Sequence, residues 1–174
     1  MATISAFKAQ MQGGGARTNQ FRVELVFPAL ATNGTAASTA SQFLCKSAQL
    51  PASILEDLPI AYRGRIVHFA GERQFQPWQV TILNDTNFLI RNAFESWHNA
   101  IANYTSTNGI LRPSDYQTQM LVHQLDRNDV KIKTYEFFDV YPTNVEPIAL
   151  GFESPAIEEY GVELTFNYFI PSDL

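Results

Sequence analysis

Val162-Glu163-Leu164-Thr165-Phe166-Asn167-Tyr168-Phe169-Ile170 decides the fold class. Val162, Leu164, Phe166, Tyr168 and Ile170 alternate with Glu163, Thr165 and Asn167. A period of two puts alternate side chains on one face of a strand. The same period recurs upstream. In Gln20 to Phe27, Phe21, Val23, Leu25 and Phe27 share a face opposite Arg22 and Glu24, and Pro28 closes the strand. Trp78, Val80 and Ile82 alternate within Trp78 to Leu83. Tyr116 to Leu125 and Lys131 to Val140 flank Asp126-Arg127-Asn128-Asp129, the pattern of a hairpin. Phe43 to Leu50 makes a further strand ending at Pro51, and Tyr141-Pro142-Thr143-Asn144-Val145 is expected to turn. Residues 51–77 are punctuated by Pro and Gly, with short strands at Leu55 to Tyr62 and Ile66 to Ala70 around Arg63-Gly64-Arg65.

One segment departs from this period. Asn84-Asp85-Thr86 offers capping side chains, and Ile90, Ala93, Phe94, Trp97, Ile101 and Tyr104 fall on one stripe at helical spacing, so a helix is expected over about 86–103. Residues 31–42 are small and polar with a turn signal at Asn33-Gly34, and predict an extended hairpin tip or loop. Residues 1–19, with Gly13-Gly14-Gly15, predict a flexible N-terminal arm. The expectation is therefore one domain over 1–174, mainly β: a two-sheet antiparallel β-sandwich or barrel with one flanking α-helix.

Composition bounds the function. The 174 residues are 45% hydrophobic, enough for a sizeable core, and only 17% charged, against about a quarter in an average soluble chain. Aromatic residues are plentiful, and a low-charge aromatic surface suits contact with further copies of the chain. A net charge of −5 argues against a free-standing nucleic-acid binder, which needs cations to neutralise phosphates. It allows a polyanion to pass without sticking. The single cysteine, Cys45, excludes an internal disulfide and a cysteine cluster for zinc. No apolar run reaches membrane-spanning length, and residues 1–15 have no apolar segment of the signal-peptide kind.

Chemistry is hard to find. His68, His98 and His123 stand far from one another and from Cys45, so no metal ligand set is expected from spacing. The triple glycine lacks the Lys-Ser/Thr of a phosphate loop. Glu158 and Glu159 are adjacent and would point to opposite faces of a strand, a poor acid/base pair. Cys45 sits among apolar residues, where a thiol behaves as a small hydrophobe. Trp78 and Trp97 are expected in the core. No catalytic residue, metal or cofactor is therefore expected, and the chain is expected not to be an enzyme.

Residues 43–85 carry something more specific. Phe43-x-Cys45-Lys46-Ser47-Ala48-x-Leu50-Pro51-Ala52 is followed by Leu58-Pro59-Ile60-x-Tyr62-Arg63-Gly64-Arg65, then by Ala70-Gly71-Glu72-Arg73-x-Phe75-x-x-Trp78-x-Val80-Thr81-Ile82-x-Asn84-Asp85. With Asn19-x-Phe21-x-Val23-Glu24, Arg91-x-x-Phe94-x-x-Trp97 and Tyr141-Pro142-Thr143-Asn144-Val145, this order resembles the tail tube proteins of T4-like contractile-tailed phages over most of residues 19–170. Stretch 31–42 is longer than the connection expected of that family, and the arm does not match residue by residue.

The resemblance implies hexameric rings stacked into a tube within the virion, assembled in the host cytoplasm. One sheet of each subunit would join its neighbours into a β-barrel around a lumen that passes DNA. Implied partners are further copies of the chain, the tail sheath protein, a baseplate or tube initiator and the tape measure protein, with no membrane. A tube-initiating baseplate protein and a tube protein of a related injection or secretion system are the alternatives within the fold; an unrelated small-molecule-binding barrel is the alternative outside it. Six copies at −5 each sum to about −30 per ring, a field that would repel phosphates if the acids faced the lumen. Ring contacts are expected at 51–75, whose apolar and mixed-charge residues Leu55, Glu56, Asp57, Leu58, Ile60, Tyr62, Arg63, Arg65, Glu72 and Arg73 suit an interface with a salt-bridge network.

Overall fold

The computed structural model describes residues 3–11, 14–106, 108–153 and 155–172. In chain order the elements are α1 (Ile4–Gln10), β1 (Phe21–Glu24), α2 (Gly34–Leu44), β2 (Cys45–Ala48), β3 (Ser53–Tyr62), β4 (Arg65–Phe75), β5 (Trp78–Leu83), α3 (Leu89–Ile101), α4 (Pro113–Tyr116), β6 (Thr118–Leu125), β7 (Lys131–Val145), β8 (Glu159–Thr165) and β9 (Tyr168–Pro171). Seven strands form a continuous antiparallel sheet in the order β1-β6-β7-β8-β5-β2, with β9 on β7, and β3 and β4 form a separate hairpin.

The long β7 serves two layers. Its first part pairs with β6 and β9, and from Tyr141 onward it pairs with β8. The change of partner follows Asp139, held at φ 58°. A left-handed residue bends the strand. Tyr141 to Val145 is thus strand and not the expected turn, and Pro142 is accommodated where the register with β8 shifts. The C-terminal strand breaks at the same corner. Asn167 donates its backbone N–H to Phe138 O at 3.1 Å and its amide to the Asp139 carboxylate at 2.9 Å. β8 therefore ends in one layer and β9 begins in the other, although the alternation runs on unbroken.

The layers close on an aromatic centre. Trp78 of β5 stacks on Phe137 of β7 with ring centroids 4.3 Å apart, and its indole N–H donates to Gln49 O at 2.7 Å. Val23, Met120 and Val122 pack from one layer, and Val80, Ile82, Val162 and Leu164 from the other. α3 caps the core with Ile90, Ala93, Phe94 and Trp97, the expected stripe; Tyr104 lies beyond the helix and is exposed. The helix is shorter than expected at its start because the Asp85 carboxylate accepts from Leu89 N at 2.9 Å.

Stretch 31–42 corrects the sequence expectation: instead of a hairpin tip or loop, α2 runs over Gly34–Leu44 as a second flanking helix. Asn33 takes a left-handed conformation, φ 55°, and turns the chain into a helix rather than a hairpin. The small residues Ala37 and Ser41 are fully buried and let α2 approach closely. Beyond the end of β1, Ser41 Oγ accepts from Leu25 N at 3.2 Å and Ser38 Oγ donates to Leu25 O. These hydroxyls satisfy backbone groups that have no strand partner. Phe43 and Leu44 belong to α2, so β2 starts two residues later than expected. Of the expected arm, residues 1, 2, 12 and 13 lie outside the described residues; α1 is capped by the Thr3 hydroxyl and buries none of its residues.

Candidate functional site: a free hairpin and two open strand edges

The β3–β4 hairpin is built on a two-residue turn. Arg63 at φ 47° and Gly64 at φ 81° supply the paired positive angles whose twist matches that of the strands. From Tyr62↔Arg65 the register runs inward as far as Asp57↔Ala70, then shifts before Leu55↔Arg73. The extra residue lies in β4 at Gly71-Glu72. A Cβ on Gly71 would lie 2.9 Å from Glu56 Cβ and 3.0 Å from Glu56 O, so the bulge packs at that density only with glycine there.

Cross-strand partners share a face. One face of the hairpin carries Leu58, Ile60, Tyr62, Val67 and Phe69, with Ile54 nearer the base. These side chains remain between 42% and 61% exposed, and among the described residues nothing covers them. Arg65 ends this face, and the Arg63 guanidinium lies 5.4 Å from the centre of the Tyr62 ring. The opposite face carries the Asp57–His68 pair at 2.6 Å, Pro59, Ala61, Ile66 and the Leu55–Arg73 row. Its root joins the body, where Phe75 meets Phe169 at 5.3 Å.

All the interface residues expected from sequence lie on this hairpin and all are exposed. The structure divides them between faces. Leu58, Ile60, Tyr62 and Arg65 lie on the apolar side, as does Glu56, which accepts from Gln74. Leu55, Asp57 and Arg73 lie on the other, Arg63 is at the tip and Glu72 in the bulge. Among the described residues, Arg65, Glu72 and Arg73 make no ion pair or side-chain hydrogen bond. Sequence reasoning missed Ile54, Val67 and Phe69. Counting outward by twos from Arg63-Gly64 finds the last two.

The second feature is the sheet β9–β7–β6–β1. Among the described residues neither β1 nor β9 has a second strand partner, so both edges of this layer are open. The face turned away from the core carries Arg22, His123 and Thr134 in one row and Glu24, Leu121, Glu136 and Ile170 in the next. His123 is 2% exposed. Its Nδ1 is 2.8 Å from Thr134 Oγ1, and its Nε2 faces Lys131 Nζ at 3.0 Å and Glu24 Oε1 at 3.2 Å. Burial, aided by the Lys131 charge and opposed by Glu24, pushes its pKa below the ordinary histidine range.

The other groups of chemical interest are held structurally. His98 Nε2 lies 3.1 Å from the Pro142 carbonyl oxygen, which can only accept from it. The half-buried Cys45 thiol is pushed up to about 12 by burial and stays protonated. Among the described residues no three His, Cys, Asp or Glu side chains converge as a metal ligand set.

A family profile for phage tail tube proteins matches residues 16–172. Tail tube protein gp19 of Enterobacteria phage T4 is 31% identical over 164 residues, spanning 93% of this chain and 95% of that protein. In solved structures the fold is similar to the sheath/tube terminator of an extracellular contractile injection system (PVC), with TM-score 0.67, 9% identity and coverage of 91% of this chain and 96% of that one. It is also similar to a chain of the PVC sheath–tube complex in the extended state, with TM-score 0.56, 12% identity and coverage of 99% of both chains. The chain therefore belongs to the phage tail tube protein family.

Proposed function

We propose that this structural protein of the phage tail forms hexameric rings through the open edges of its β9–β7–β6–β1 sheet, and that the β3–β4 hairpin fastens each copy to its neighbours in a stacked tube. The observation that carries the proposal is the hairpin's uncovered apolar face, Leu58, Ile60, Tyr62, Val67 and Phe69, within the 51–75 segment where ring contacts are expected. A contiguous apolar surface of that kind marks an association site. The unpaired arginines Arg65 and Arg73 supply charges for partners in another copy. Closing the sheet into a ring removes two free strand edges, which otherwise pair without control.

The tube lies inside the tail sheath, grows from a baseplate initiator, holds the tape measure protein during assembly and passes DNA through its lumen at ejection. Its role is structural and not enzymatic. Arg73→Glu tests the hairpin's part in this. The variant is expected to melt like the parent and to remain unassembled in sedimentation velocity at concentrations where the parent forms tubes. Normal polymerisation of Arg73→Glu would remove the hairpin base from the contact.

A further inference from the structure

Resting on the tube proposal, we infer that the loop between β7 and β8 is the surface on which the β3–β4 hairpin of a further copy lands. Hairpin and loop stand at opposite ends of the second layer. The hairpin returns at Phe75, just before β5 begins at Trp78 opposite Leu164. β5 ends at Leu83 opposite Glu159, and Asn84 then donates its backbone N–H to Glu158 O at 2.9 Å, where the loop closes. The five strand steps from Trp78 to Leu83, about 17 Å, separate the two ends. A projecting element at one end and its receptor at the other make a head-to-tail contact, which repeats from copy to copy where the rotation between copies does not close it. A stack needs a contact of that kind.

The loop runs over thirteen residues, Glu146 to Glu158, longer than most connections in a compact domain. Its ends are pinned. Arg91 donates to Glu146 O at 2.8 Å, and the Asn84 amide donates to the Glu158 carboxylate at 2.8 Å. Between the pins none of its described residues is fully buried. Leu150, Phe152 and Ile157 are at least 73% exposed, and with Ile148 they line an open hollow of about 700 Å³. Apolar side chains left this bare mark an association site.

Charge selects the hairpin as the occupant. From Leu58 to Val67 its only charged residues are Arg63 and Arg65, beside the apolar Ile60, Tyr62 and Val67. The loop and the first residue of β8 carry Glu146, Glu153, Glu158 and Glu159, with no Lys or Arg. Lys46 pairs with Glu159 and Asn84 takes Glu158. Glu153, next to Phe152, makes no ion pair or side-chain hydrogen bond among the described residues, and Arg65 on the hairpin makes none either. An apolar, cationic tip thus faces an apolar, acidic hollow, each with a charge left over for the other.

The test has two arms, and tube formation by the parent is checked before either; its absence contradicts the tube proposal itself. In the first arm, Phe152→Asp removes no core contact and is expected to melt like the parent. Its critical concentration for pelletable polymer is expected to rise about a hundredfold, from lost apolar burial and a desolvated carboxylate. Polymerisation at the parent's concentration overturns the inference and leaves the loop to a partner outside the stack, such as the sheath. The second arm uses two small exposed residues, Ala61 near the hairpin tip and Ala149 in the loop. Ala61→Cys and Ala149→Cys chains, each in a Cys45→Ala background, are mixed, assembled and treated with a short bismaleimide. Mixed tubes are expected to yield a cross-linked dimer that tubes of either chain alone do not. No dimer from mixed tubes, or as much from Ala61→Cys alone, overturns the inference, because the hairpin then lands elsewhere.

Discussion

Ile60→Asp should separate folding from assembly. Ile60 stands across from Val67 in the middle of the hairpin's apolar face and is 55% exposed, so the substitution removes no core contact of the protomer. In the assembled contact it acts twice. The half of the side chain still in water forfeits about 1 kcal/mol of burial, half the value of roughly 2 kcal/mol for a whole isoleucine. The carboxylate, desolvated without a partner, costs on the order of a further 3 kcal/mol. A total near ~4 kcal/mol per subunit corresponds to roughly three powers of ten in association, at about 1.4 kcal/mol for each. The assay is the critical concentration for pelletable polymer, beside the thermal melt of dilute protein. The critical concentration should rise at least about a hundredfold while the melting temperature moves by no more than about 1 °C. Polymerisation at the parent's concentration would refute the docking role of this face. A melting temperature lowered by several degrees would refute its freedom from the protomer.

Two further predictions concern the body. Ala37→Leu overfills the buried side of α2 and should cost about 2 kcal/mol, lowering the melting temperature by roughly 6 °C, whereas Ala36→Leu on the exposed side of the same helix should leave it unchanged. Equal effects would mean that α2 does not dock by that side. For His123, the folded pKa lies below the unfolded one. Above about pH 6.5 both states are neutral there and the residue adds no pH dependence. Below it the unfolded chain takes up a proton that the folded chain resists, with Arg22 and Lys131 against the added charge and Glu24 for it, so stability falls until pH passes the folded pKa. The parent should therefore lose more melting temperature between neutral and mildly acidic pH than His123→Gln does; parallel slopes would contradict the buried, disfavoured imidazolium.

Much of the fold was legible because most strands bury one face. The alternations at Phe21 to Phe27, Trp78 to Leu83 and along β8 follow directly from that burial. Period alone could not locate the corner at Asp139 and Asn167, because the alternation continues while the strand changes layer. Helix α2 was hidden for a different reason. Its buried side consists of Ala37 and Ser41, whose small size is what close packing needs and which carry little hydrophobic signal. At the candidate site, the hairpin tip was marked by Arg63-Gly64 and the segment by its Pro and Gly residues. Which residues face together was not, since Gly71 looks like the end of a strand and is the bulge that resets the register. The charged members of the segment therefore fall on both faces, and Val67 and Phe69 escaped notice.

The most direct test of the account is negative-stain electron microscopy of the purified protein over a range of concentrations, alone and with a baseplate initiator. Hollow rings and tubes of constant width, lost in Ile60→Asp, are the predicted result. A monodisperse monomer under every condition, initiator included, would contradict it.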